Sequence, residues 1–597
     1  MLTDKWQNAI IEMGKKYIIV GKKEAKYHKI IVKVMVVKEN AARKEIYGMK
    51  IKFCGAVSAV TGSCHLVTTE KHQVLLDCGM FQGGKKEEAA NLEPFAFNPA
   101  EIECVILSHA HVDHCGRLPL LVKQGFTGPI YCTDATADLL KVMLPDCAHI
   151  QQKEAEWATK KAARKGLPAV EPMYTMEDAN AALKQVAPIL YDQLFNVNDQ
   201  MQAVFNDAGH ILGSAITELW ITENDKTVKL VYTGDIGVND RPILRDPVKI
   251  KKADFVVMES TYGDRLHESN EASIKELIDI IADTVKRGGN VIIPAFAVGR
   301  TQELIYELNR FYESDRYYHD LLSNVKVYID SPMAVTTTQV FRRNAQVFDK
   351  ETKEYILAGD NPLDFPNLNF TRTSEESKAL NEDNRPKIII SASGMCDAGR
   401  IRHHLKHNLW NPKNSIVFVG YQANGTLGRR IVDGEKELSI LGEKILVQAK
   451  VYYLEGFSGH ADYTGLLDWV QGLKKAPQHI FLVHGETEAK EALEQKIKDA
   501  TGYPCTAIHG VTEVDLADAA GMTFEEATAE LVDEEQIRAL QDKLADLQET
   551  VNEFLMNANL VIDDKLTPEH LIEIKNAVVQ LEKETIQLGM TVTKEGR

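Results

Sequence analysis

The stretch SHAHVDH at residues 108–114 decides both the fold and the chemistry expected of this chain. It places three imidazoles and one carboxylate within seven residues, directly after an apolar, strand-like run. Zn²⁺ prefers histidine nitrogens and carboxylate oxygens in a compact set. On a loop, His109 and His111 can turn towards one ion, while Asp113 and His114 can turn towards a second. The spacing therefore predicts a metal site, and a histidine-rich surface turn is the alternative interpretation.

The HxHxDH pattern of this stretch resembles the signature of the metallo-β-lactamase fold. The resemblance implies further ligands downstream, and the chain offers His210 in DAGHILGS and Asp235 in YTGDIG. Asp235 would then bridge two metal ions. Asp77, in LLDCG, matches the early aspartate of the family, which orients the ligands or the metal-bound water. Without the resemblance, His210 would be interpreted as a structural histidine, and both aspartates as turn residues.

Beyond Asp235, the chain changes to a regular alternation of strand-like and helical segments. Four apolar runs lie at residues 290–294, 326–330, 387–391 and 415–419. Most of them are followed by a helical pattern, which predicts a parallel α/β sheet. Such sheets bind ligands in the loops beyond the carboxyl ends of their strands. The loops at this position are 295–300, 331–334, 391–400 and 420–430.

This inserted segment of about 185 residues resembles the β-CASP group, whose members are nucleases built on the metallo-β-lactamase fold. Three motifs carry the resemblance. Glu259 in MESTYGD matches motif A, His460 in EGFSGHAD matches motif B, and His484 in FLVHGE matches motif C. The match extends over residues 49–510.

Two further stretches place the chain nearest one branch of this group. IDSPMA from Ile329 and ISASGM from Ile390 are similar to the endonuclease subunit of the cleavage and polyadenylation specificity factor and its prokaryotic relatives. DNA-processing members of the group usually have an apolar residue at motif C, whereas RNA-processing members have histidine. His484 therefore favours RNA as the substrate.

The resemblance implies a set of metal ligands and a set of catalytic residues, with Asp113 in both. The implied ligands of two Zn²⁺ ions are His109, His111, Asp113, His114, His210, Asp235 and His484, and the implied catalytic residues are Asp77, Asp113, Glu259 and His460. Two such ions lower the pKa of a bridging water towards ~7, which provides hydroxide at neutral pH. His460, held by Glu259, would protonate the leaving ribose oxygen. Ser458 would add a hydrogen-bond donor for phosphate.

The chain is acidic, with a formal net charge of −17 over 597 residues. A protein that coats nucleic acid non-specifically is usually basic, so a phosphate-bearing substrate has to be held locally. Arginines near the loops of the inserted sheet could supply this charge together with the metal ions. The candidates are Arg300, Arg400, Arg402, Arg429 and Arg430. For each of them, a solvated or structural role is an equally good interpretation.

The composition indicates an ordinary globular protein. Hydrophobic residues make up 44% of the chain and charged residues 26%, which excludes disordered, collagenous and disulfide-stapled classes. The nine cysteines are odd in number and show no CxxC spacing, as expected for thiols of a reducing compartment. No stretch approaches the roughly 20 apolar residues that a membrane span needs. We therefore expect a cytoplasmic protein that does not bind a membrane.

The two ends of the chain differ from its middle. Residues 1–48 carry a net charge of +6 and form either a basic extension or a misassigned start before Met49. Residues 511–597 carry a net charge of −13 and contain an apolar heptad seam. The seam consists of Ile537, Leu540, Leu544, Leu547, Val551 and Phe554. A second helix is predicted from Thr567, and the tail is expected to pack against the chain or to mediate a homodimer or a protein partner.

The predicted fold class is α/β, with a metallo-β-lactamase αβ/βα sandwich, an inserted α/β β-CASP domain and an appended C-terminal helical region. After residues 1–48, the expected domains are the first part of the metallo-β-lactamase domain at 49–261, the β-CASP domain at 262–448, the return segment at 449–510 and the acidic tail at 511–597.

The expected function is a zinc-dependent ribonuclease that cleaves phosphodiester bonds of single-stranded RNA, in endonuclease mode, in RNA processing or decay. A 5′–3′ exoribonuclease of the same family is one alternative. A small-molecule metallo-hydrolase is another, but it would not need the insert or the pair of His460 with Glu259. A non-catalytic RNA-binding scaffold is the third, and it should have lost ligands, whereas this chain keeps all of them.

Overall fold

The computed structural model describes residues 48–314, 316–423, 425–516 and 534–561, together with seven positions between Ile574 and Thr585. The basic extension predicted at 1–48 lies outside these residues except for Gly48, and so does most of the tail helix predicted from Thr567. None of the described helices is long and apolar enough to cross a membrane.

Two seven-stranded sheets form the centre of a sandwich. In spatial order, the first sheet consists of Thr512–Asp515, Lys50–Phe53, His65–Thr68, Gln73–Leu76, Cys104–Ile106, Ile130–Thr133 and Val186–Ile189. The second sheet consists of Cys505–Ala507, His479–Leu482, Phe255–Met258, Lys226–Tyr232, Ala215–Glu223, Met201–Asp207 and Phe195–Asn196. Each sheet is antiparallel on one side and parallel on the other.

Apolar side chains on the facing sides of the two sheets share one core. Ile51 and Leu76 of the first sheet are fully buried there with Leu219 and Val257 of the second. In the strand Lys50–Phe53, half-buried and buried residues alternate, because successive side chains point to opposite faces of a sheet. The inner faces of both sheets are therefore apolar, and the polar residues gather at the strand ends.

Helices cover the outer faces of both sheets, which gives the sandwich four layers. The helices on the first sheet are Leu118–Lys123, Asp134–Ala163 and Met176–Leu183, and those on the second are Tyr463–Gln471 and Thr487–Thr501. Shorter helical segments lie in the connections at Lys85–Ala90, Pro99–Glu101 and Val112–Cys115. This layer order confirms the predicted αβ/βα sandwich.

An inserted α/β unit follows the strand Phe255–Met258. Its six-stranded parallel sheet has the order Leu368–Phe370, Lys326–Ile329, Lys387–Ser391, Val291–Pro294, Ser415–Phe418 and Lys450–Tyr453. Its helices are Asn270–Lys286, Arg300–Ser314, Arg316–Ser323, Pro332–Arg343, Lys350–Leu357, Ser374–Glu382, Ile401–Asn408 and Leu427–Val432, with short 3₁₀ turns at Ala345–Val347 and Glu455–Phe457. A hairpin of Glu437–Ile440 and Glu443–Leu446 lies beside them. The parallel sheet that the strand–helix alternation predicted is confirmed.

The acidic tail contributes the helix Glu534–Val561, which confirms the helix predicted from the heptad seam. It contacts the helix Lys350–Leu357 of the inserted unit, and Lys543 forms an ion pair with Asp192 of the sandwich. Three seam residues, Leu540, Leu544 and Leu547, are exposed. The helix therefore touches both parts of the chain without burying this part of its seam.

The strands bring the predicted site residues to one edge of the sandwich. Asp77, His109, His210, Asp235, Glu259 and His484 each follow the carboxyl end of a strand by no more than three residues. In the second sheet, the four strands that precede His210, Asp235, Glu259 and His484 all run in one direction. The polar ends of distant segments therefore meet where the buried strands stop.

Close backbone packing holds the HxHxDH loop against the neighbouring loop that contains Gly79. The Ser63 N–H donates to the carbonyl of Asp113 at 2.8 Å, and the Cys78 N–H donates to that of His114 at 2.8 Å. A Cβ on Gly79 would lie 1.5 Å from the Asp113 carbonyl oxygen. Only glycine therefore fits at this position.

We expect Gly79→Ala to lower the stability of the protein by about 3 kcal/mol, the upper end of overpacking costs, and to lower its content of bound metal. The added methyl group must displace the Asp113 backbone, which positions a predicted ligand. Thermal unfolding and metal analysis of the purified variant test this. Gly420→Ala is the control, since its Cβ would meet only Phe296 at 3.7 Å. An unchanged Tm and unchanged metal content in Gly79→Ala would contradict the packing described.

Candidate metal centre

The first cluster of possible metal ligands joins residues from the ends of both sheets. It contains His109, His111, His210 and Asp235, whose ligand atoms all lie within 4.8 Å of one another. The Nδ1 atom of His111 lies 3.1 Å from His109 Nε2 and also 3.1 Å from His210 Nε2. Neutral imidazoles that converge in this way direct lone pairs to a common point, which is how histidines bind Zn²⁺.

The second cluster lies next to the first and contains Asp113, His114 and His484. The Nε2 atoms of His114 and His484 are 3.1 Å apart, although the two residues are separated by 370 positions in the sequence. His484 Nε2 lies 3.4 Å from Asp113 Oδ2. The two halves of the HxHxDH motif therefore belong to two different clusters, as their spacing predicts.

The carboxylate of Asp235 lies between the two clusters. Its Oδ2 atom is 3.4 Å from His109 Nε2 and 3.2 Å from His114 Nε2. Its Oδ1 atom is 3.4 Å from His484 Nδ1 and, within the described part of the chain, is buried with no hydrogen-bond partner. A buried carboxylate oxygen without a donor is costly unless a cation lies against it. Asp235 therefore fits a metal ligand that both clusters share.

The protonation states in the first cluster fit metal binding, whereas in the second cluster burial would lower the pKa of His114 but the carboxylates of Asp235, Asp77 and Asp113 raise it well above its usual value. Burial lowers the pKa of His111 to about 4 and lowers those of His109 and His210 well below the usual value, so these three rings are neutral at pH 7. Burial alone would raise the pKa of Asp235, but His114 and His484 hold it well below its usual value. Neutral imidazoles and an ionised carboxylate are the forms that bind a metal ion.

Asp77 lies fully buried behind the second cluster, where it orients His114. Its Oδ2 atom is 2.6 Å from His114 Nδ1 and accepts hydrogen bonds from the Tyr232 hydroxyl at 2.5 Å and the Ser108 hydroxyl at 2.8 Å. The Ser108 N–H donates to Oδ1 at 2.7 Å. The Tyr232 hydroxyl also lies 2.8 Å from Ser63 Oγ. These contacts fix the ring of His114 with Nε2 facing the cluster.

Glu259 and His460 form a third feature of the centre. His460 Nδ1 lies 3.0 Å from Glu259 Oε2, and the ring of His460 packs 4.4 Å from that of His210. Burial would lower the pKa of His460, but the carboxylates of Glu259 and Asp235 raise it to about 9. The ligand atoms of Asp235, Glu259, His460 and His484 also lie within 4.8 Å of one another. Geometry alone therefore allows His460 to be either a proton donor or a ligand.

The side chains predicted to contact the substrate differ in their surroundings. Ser458 Oγ accepts a hydrogen bond from the His460 N–H at 3.3 Å, which places this serine in the centre. Arg300 is buried and paired with Glu303. Arg400 donates to Asp330 at 2.6 Å. Arg429 is partly exposed and donates to Asp433 at 2.9 Å. The arginines thus lie on the inserted unit with partners of their own, and their contact with a substrate stays a prediction.

Several residues of the centre were not predicted from the sequence. Tyr232 and Ser108 bind Asp77, and Thr261 donates to Glu259 at 2.6 Å and lies 3.1 Å from His484 Nδ1. Arg241 shares Glu303 with Arg300 at 2.6 Å and lies close to Gly459. Tyr232, Ser108 and Thr261 each stand within three residues of a predicted site residue. Their positions beside predicted site residues could have marked them as candidates. The sequence does not show, however, where their side chains point.

Comparison with known proteins agrees with this arrangement. The chain matches the model of the metallo-beta-lactamase superfamily at residues 57–287 and that of the Beta-Casp domain at 301–431. Residues 444–508 match the Zn-dependent metallo-hydrolase RNA specificity domain. Ribonuclease TTHA0252 of Thermus thermophilus is 40% identical over 446 residues, which cover 74% of this chain and 95% of that protein. The chain belongs to the β-CASP family of metallo-β-lactamase-fold proteins.

Other β-CASP relatives carry a different name. Transcription termination factor FttA of Methanocaldococcus jannaschii is 35% identical over 453 residues, which cover 74% of this chain and 67% of that protein. FttA of Lokiarchaeum is 29% identical over 547 residues, with 83% and 82% covered. As a β-CASP protein with this centre, the chain is a metal-dependent hydrolase of the nuclease class.

We expect Tyr232→Phe to weaken zinc binding about tenfold, the lower end of the effect of losing a partner of a metal ligand. Without the hydroxyl, Asp77 loses a short hydrogen bond and holds His114 less firmly. Competition with a coloured zinc chelator measures the affinity. Tyr503→Phe is the matched control, since that hydroxyl binds a backbone carbonyl, that of Leu473, at 3.2 Å. Equal zinc affinity in the two variants would contradict the role given to Tyr232.

Proposed function

We propose that this chain is a zinc-dependent ribonuclease that hydrolyses phosphodiester bonds within single-stranded RNA, in RNA processing or decay. The observation that carries the proposal is the convergence of two ligand clusters on Asp235, with the pair of His460 and Glu259 beside them. The match of residues 444–508 to an RNA specificity domain supports RNA as the substrate, because this segment contains both His460 and His484.

Two Zn²⁺ ions are proposed for the two clusters. His109, His111 and His210 would hold one ion, and Asp113, His114 and His484 would hold the other, with Asp235 shared. A donor set of imidazoles and carboxylates suits Zn²⁺. When bound, the ions would lower the pKa of a water towards ~7 and supply positive charge for the phosphate.

The side chains around the ions divide the remaining work. Asp77 fixes the ring of His114 through Nδ1. Glu259 accepts from Nδ1 of His460 and keeps that ring protonated, so that Nε2 is the atom that can give a proton to the leaving ribose oxygen. The ring of His460 is 18% exposed, whereas His109 and His114 are almost fully buried, which supports contact with a substrate.

The substrate is proposed to cross the inserted unit. Ser458 would contact a phosphate beside His460, and Arg300, Arg400 and Arg429 would line the path. Arg429 has the most exposed side chain of the three, at 41%, and its pair with Asp433 is a surface pair that contributes little to stability. Arg300 and Arg400 form ion pairs with buried carboxylates. They would therefore fix the conformation of the loops that line the path of the substrate.

The remaining proposals concern organisation. We assign 49–261 and 449–510 to the metallo-β-lactamase domain and 262–448 to the β-CASP domain, with the strand Lys450–Tyr453 of the inserted sheet just past that boundary. The tail helix with its exposed seam supports a homodimer or a protein partner. All nine cysteines are free thiols and eight are buried, which supports a cytoplasmic location.

We expect the zinc-loaded protein to cut 5′-labelled single-stranded RNA into internal fragments and to leave matched DNA intact. Asp113→Ala should abolish cleavage, since it removes a ligand of the second ion, and should leave the fold intact. Gel analysis of the products tests both points. Asp279→Ala, on an exposed helix position, is the control for losing a carboxylate elsewhere.

Each other outcome of this assay has a distinct meaning. Release of the labelled mononucleotide alone would replace the endonuclease mode by the 5′–3′ exonuclease mode. Full zinc occupancy without RNA cleavage would favour the small-molecule hydrolase or the scaffold. Activity of Asp113→Ala at matched zinc content would refute the assignment of two ions.

We expect His460→Ala to keep both zinc ions and to lose most of its turnover. A proton donor matters less when the leaving atom is a better leaving group, so a substrate with sulfur in place of the leaving ribose oxygen should recover much of the rate. Metal analysis and single-turnover rates on the two substrates measure this. Loss of one zinc ion from the variant would instead make His460 a ligand.

A further inference from the structure

The end of the long helix Asp134–Ala163 carries a surface that the proposed catalytic centre does not use. Residues 157–167, WATKKAARKGL, contain four basic residues and no acidic one, in a chain whose net charge is −17. Trp157 is 66% exposed, and the four cations Lys160, Lys161, Arg164 and Lys165 are exposed as well. An exposed tryptophan beside unbroken positive charge is unusual on such an acidic protein.

These residues share one face of the helix. Trp157, Lys160, Lys161 and Arg164 stand at positions i, i+3, i+4 and i+7, which lie above one another on a helix. The ammonium group of Lys161 lies 5.1 Å from the centroid of the Trp157 ring. Within the part of the chain that the structure describes, no carboxylate forms an ion pair with any of the four cations, whereas Lys153 pairs with Glu156 one turn earlier.

Stabilisation of the helix end explains only part of this surface. Basic residues in a last turn interact favourably with the helix dipole, which accounts for the lysines. The helix dipole does not explain why Trp157 is exposed, since a large apolar ring is more stable when it is buried. Aromatic rings that stack on bases, next to cations that bind phosphates, are the combination with which proteins bind single-stranded nucleic acid.

We propose that this surface, the Trp157 patch (Trp157, Lys160, Lys161, Arg164 and Lys165), is a second binding site for single-stranded RNA, separate from the metal centre. Trp157 stacks on a base, and the cations contact the flanking phosphates. The proposal rests on the function proposed above, since an RNA that reaches the patch is one whose other part lies at the metal centre.

The helix connects the patch to the metal centre. Its first turn is fixed to the loop of His210, because the hydroxyls of Thr133 and Thr136 donate to the Gly213 carbonyl at 2.6 and 2.8 Å. Trp157 lies 23 residues beyond the first residue of the helix, which corresponds to about 35 Å along the axis. An RNA held at both places must therefore be much longer than the few nucleotides around the cleaved bond.

The contacts of the helix one turn before the patch reach towards the inserted unit. Burial, together with the nearby carboxylate of Glu88, raises the pKa of Glu154, which lies one turn before Trp157. Glu88 belongs to a short helix whose preceding Gly84 packs near Gly425, a loop residue of the inserted unit. The turn of the helix before the patch is thus connected, through the short helix Lys85–Ala90, to the loop of Gly425.

The test is RNA binding by full-length protein in the inactive Asp113→Ala background. Binding is measured by the fluorescence anisotropy of a labelled single strand of about 30 nucleotides. The patch variant replaces Lys160, Lys161, Arg164 and Lys165 by Gln. We expect at least a tenfold loss of affinity. The salt dependence should also weaken: the slope of log K against log salt should become less negative by up to about 3, since each phosphate contact on a single strand contributes about −0.7.

Trp157→Ala separates stacking from charge. We expect about a fivefold or greater loss of affinity with an unchanged salt slope, since a stacked base contributes at least that much. RNA should also quench the tryptophan fluorescence of the parent protein more than that of Trp157→Ala. Trp410→Ala is the matched control, because Trp410 is similarly exposed, at 54%, on the inserted unit.

The charge control replaces the exposed residues Lys71, Lys226, Lys275 and Lys444 by Gln, which changes the net charge equally at other places. Equal loss of affinity in both quadruple variants would overturn the patch as a site. Unchanged RNA affinity, with binding to vesicles of anionic lipid lost only in the patch variant, would make it a membrane-binding surface instead. Because the measurement is binding, failure of RNA cleavage in the catalytic assay is a separate result.

Discussion

The buried carboxylate of Asp235 is the group on which the rest of the centre depends. It lies within 3.5 Å of nitrogens from His109, His114, His210 and His484, and its Oδ1 atom has no donor among the described residues. An ionised carboxylate in a closed pocket is unfavourable unless positive charge is supplied there, by protonated histidine or by a metal ion. The strand ends of both sheets deliver these groups, so the sandwich is the support of a site that a metal ion completes.

The surroundings of Asp235 give each neighbouring residue a distinct environment. Asp77 has its oxygens occupied by Tyr232, Ser108 and His114, which leaves it no role as a free base. Glu259 accepts hydrogen bonds from the Thr261 hydroxyl and the Ile236 N–H, and it also contacts Nδ1 of His460. Two carboxylates of similar sequence context thus orient two different histidines, His114 towards the buried ligand cluster and His460 towards the partly exposed side of the centre. Hydrogen-bond partners, rather than residue type, make the difference.

Charge is distributed so that an acidic protein can hold a polyanion. The arginines of the inserted unit are mostly neutralised by their own partners, such as Glu303 for Arg300 and Asp330 for Arg400. Positive charge that faces a substrate would therefore come mainly from bound metal ions, from weakly paired arginines such as Arg429, and from cations without acidic partners, as proposed for the Trp157 patch. Association with RNA is then confined to a few places, while the net charge of −17 discourages non-specific coating.

From the sequence by itself, strand–helix alternation predicted the inserted parallel sheet and the HxHxDH spacing predicted a metal site, because both are local properties. The sandwich and the downstream residues His210, Asp235 and His484 were predicted from the resemblance of their motifs to a known family. The heptad seam also indicated the tail helix. The tertiary structure decided what depends on distant contacts: Arg300 is buried on Glu303, Tyr232 turns its hydroxyl to Asp77, and a helix continues past Pro145 as far as Ala163. Side-chain direction and partner choice are set by packing between segments hundreds of residues apart, and no local pattern encodes them.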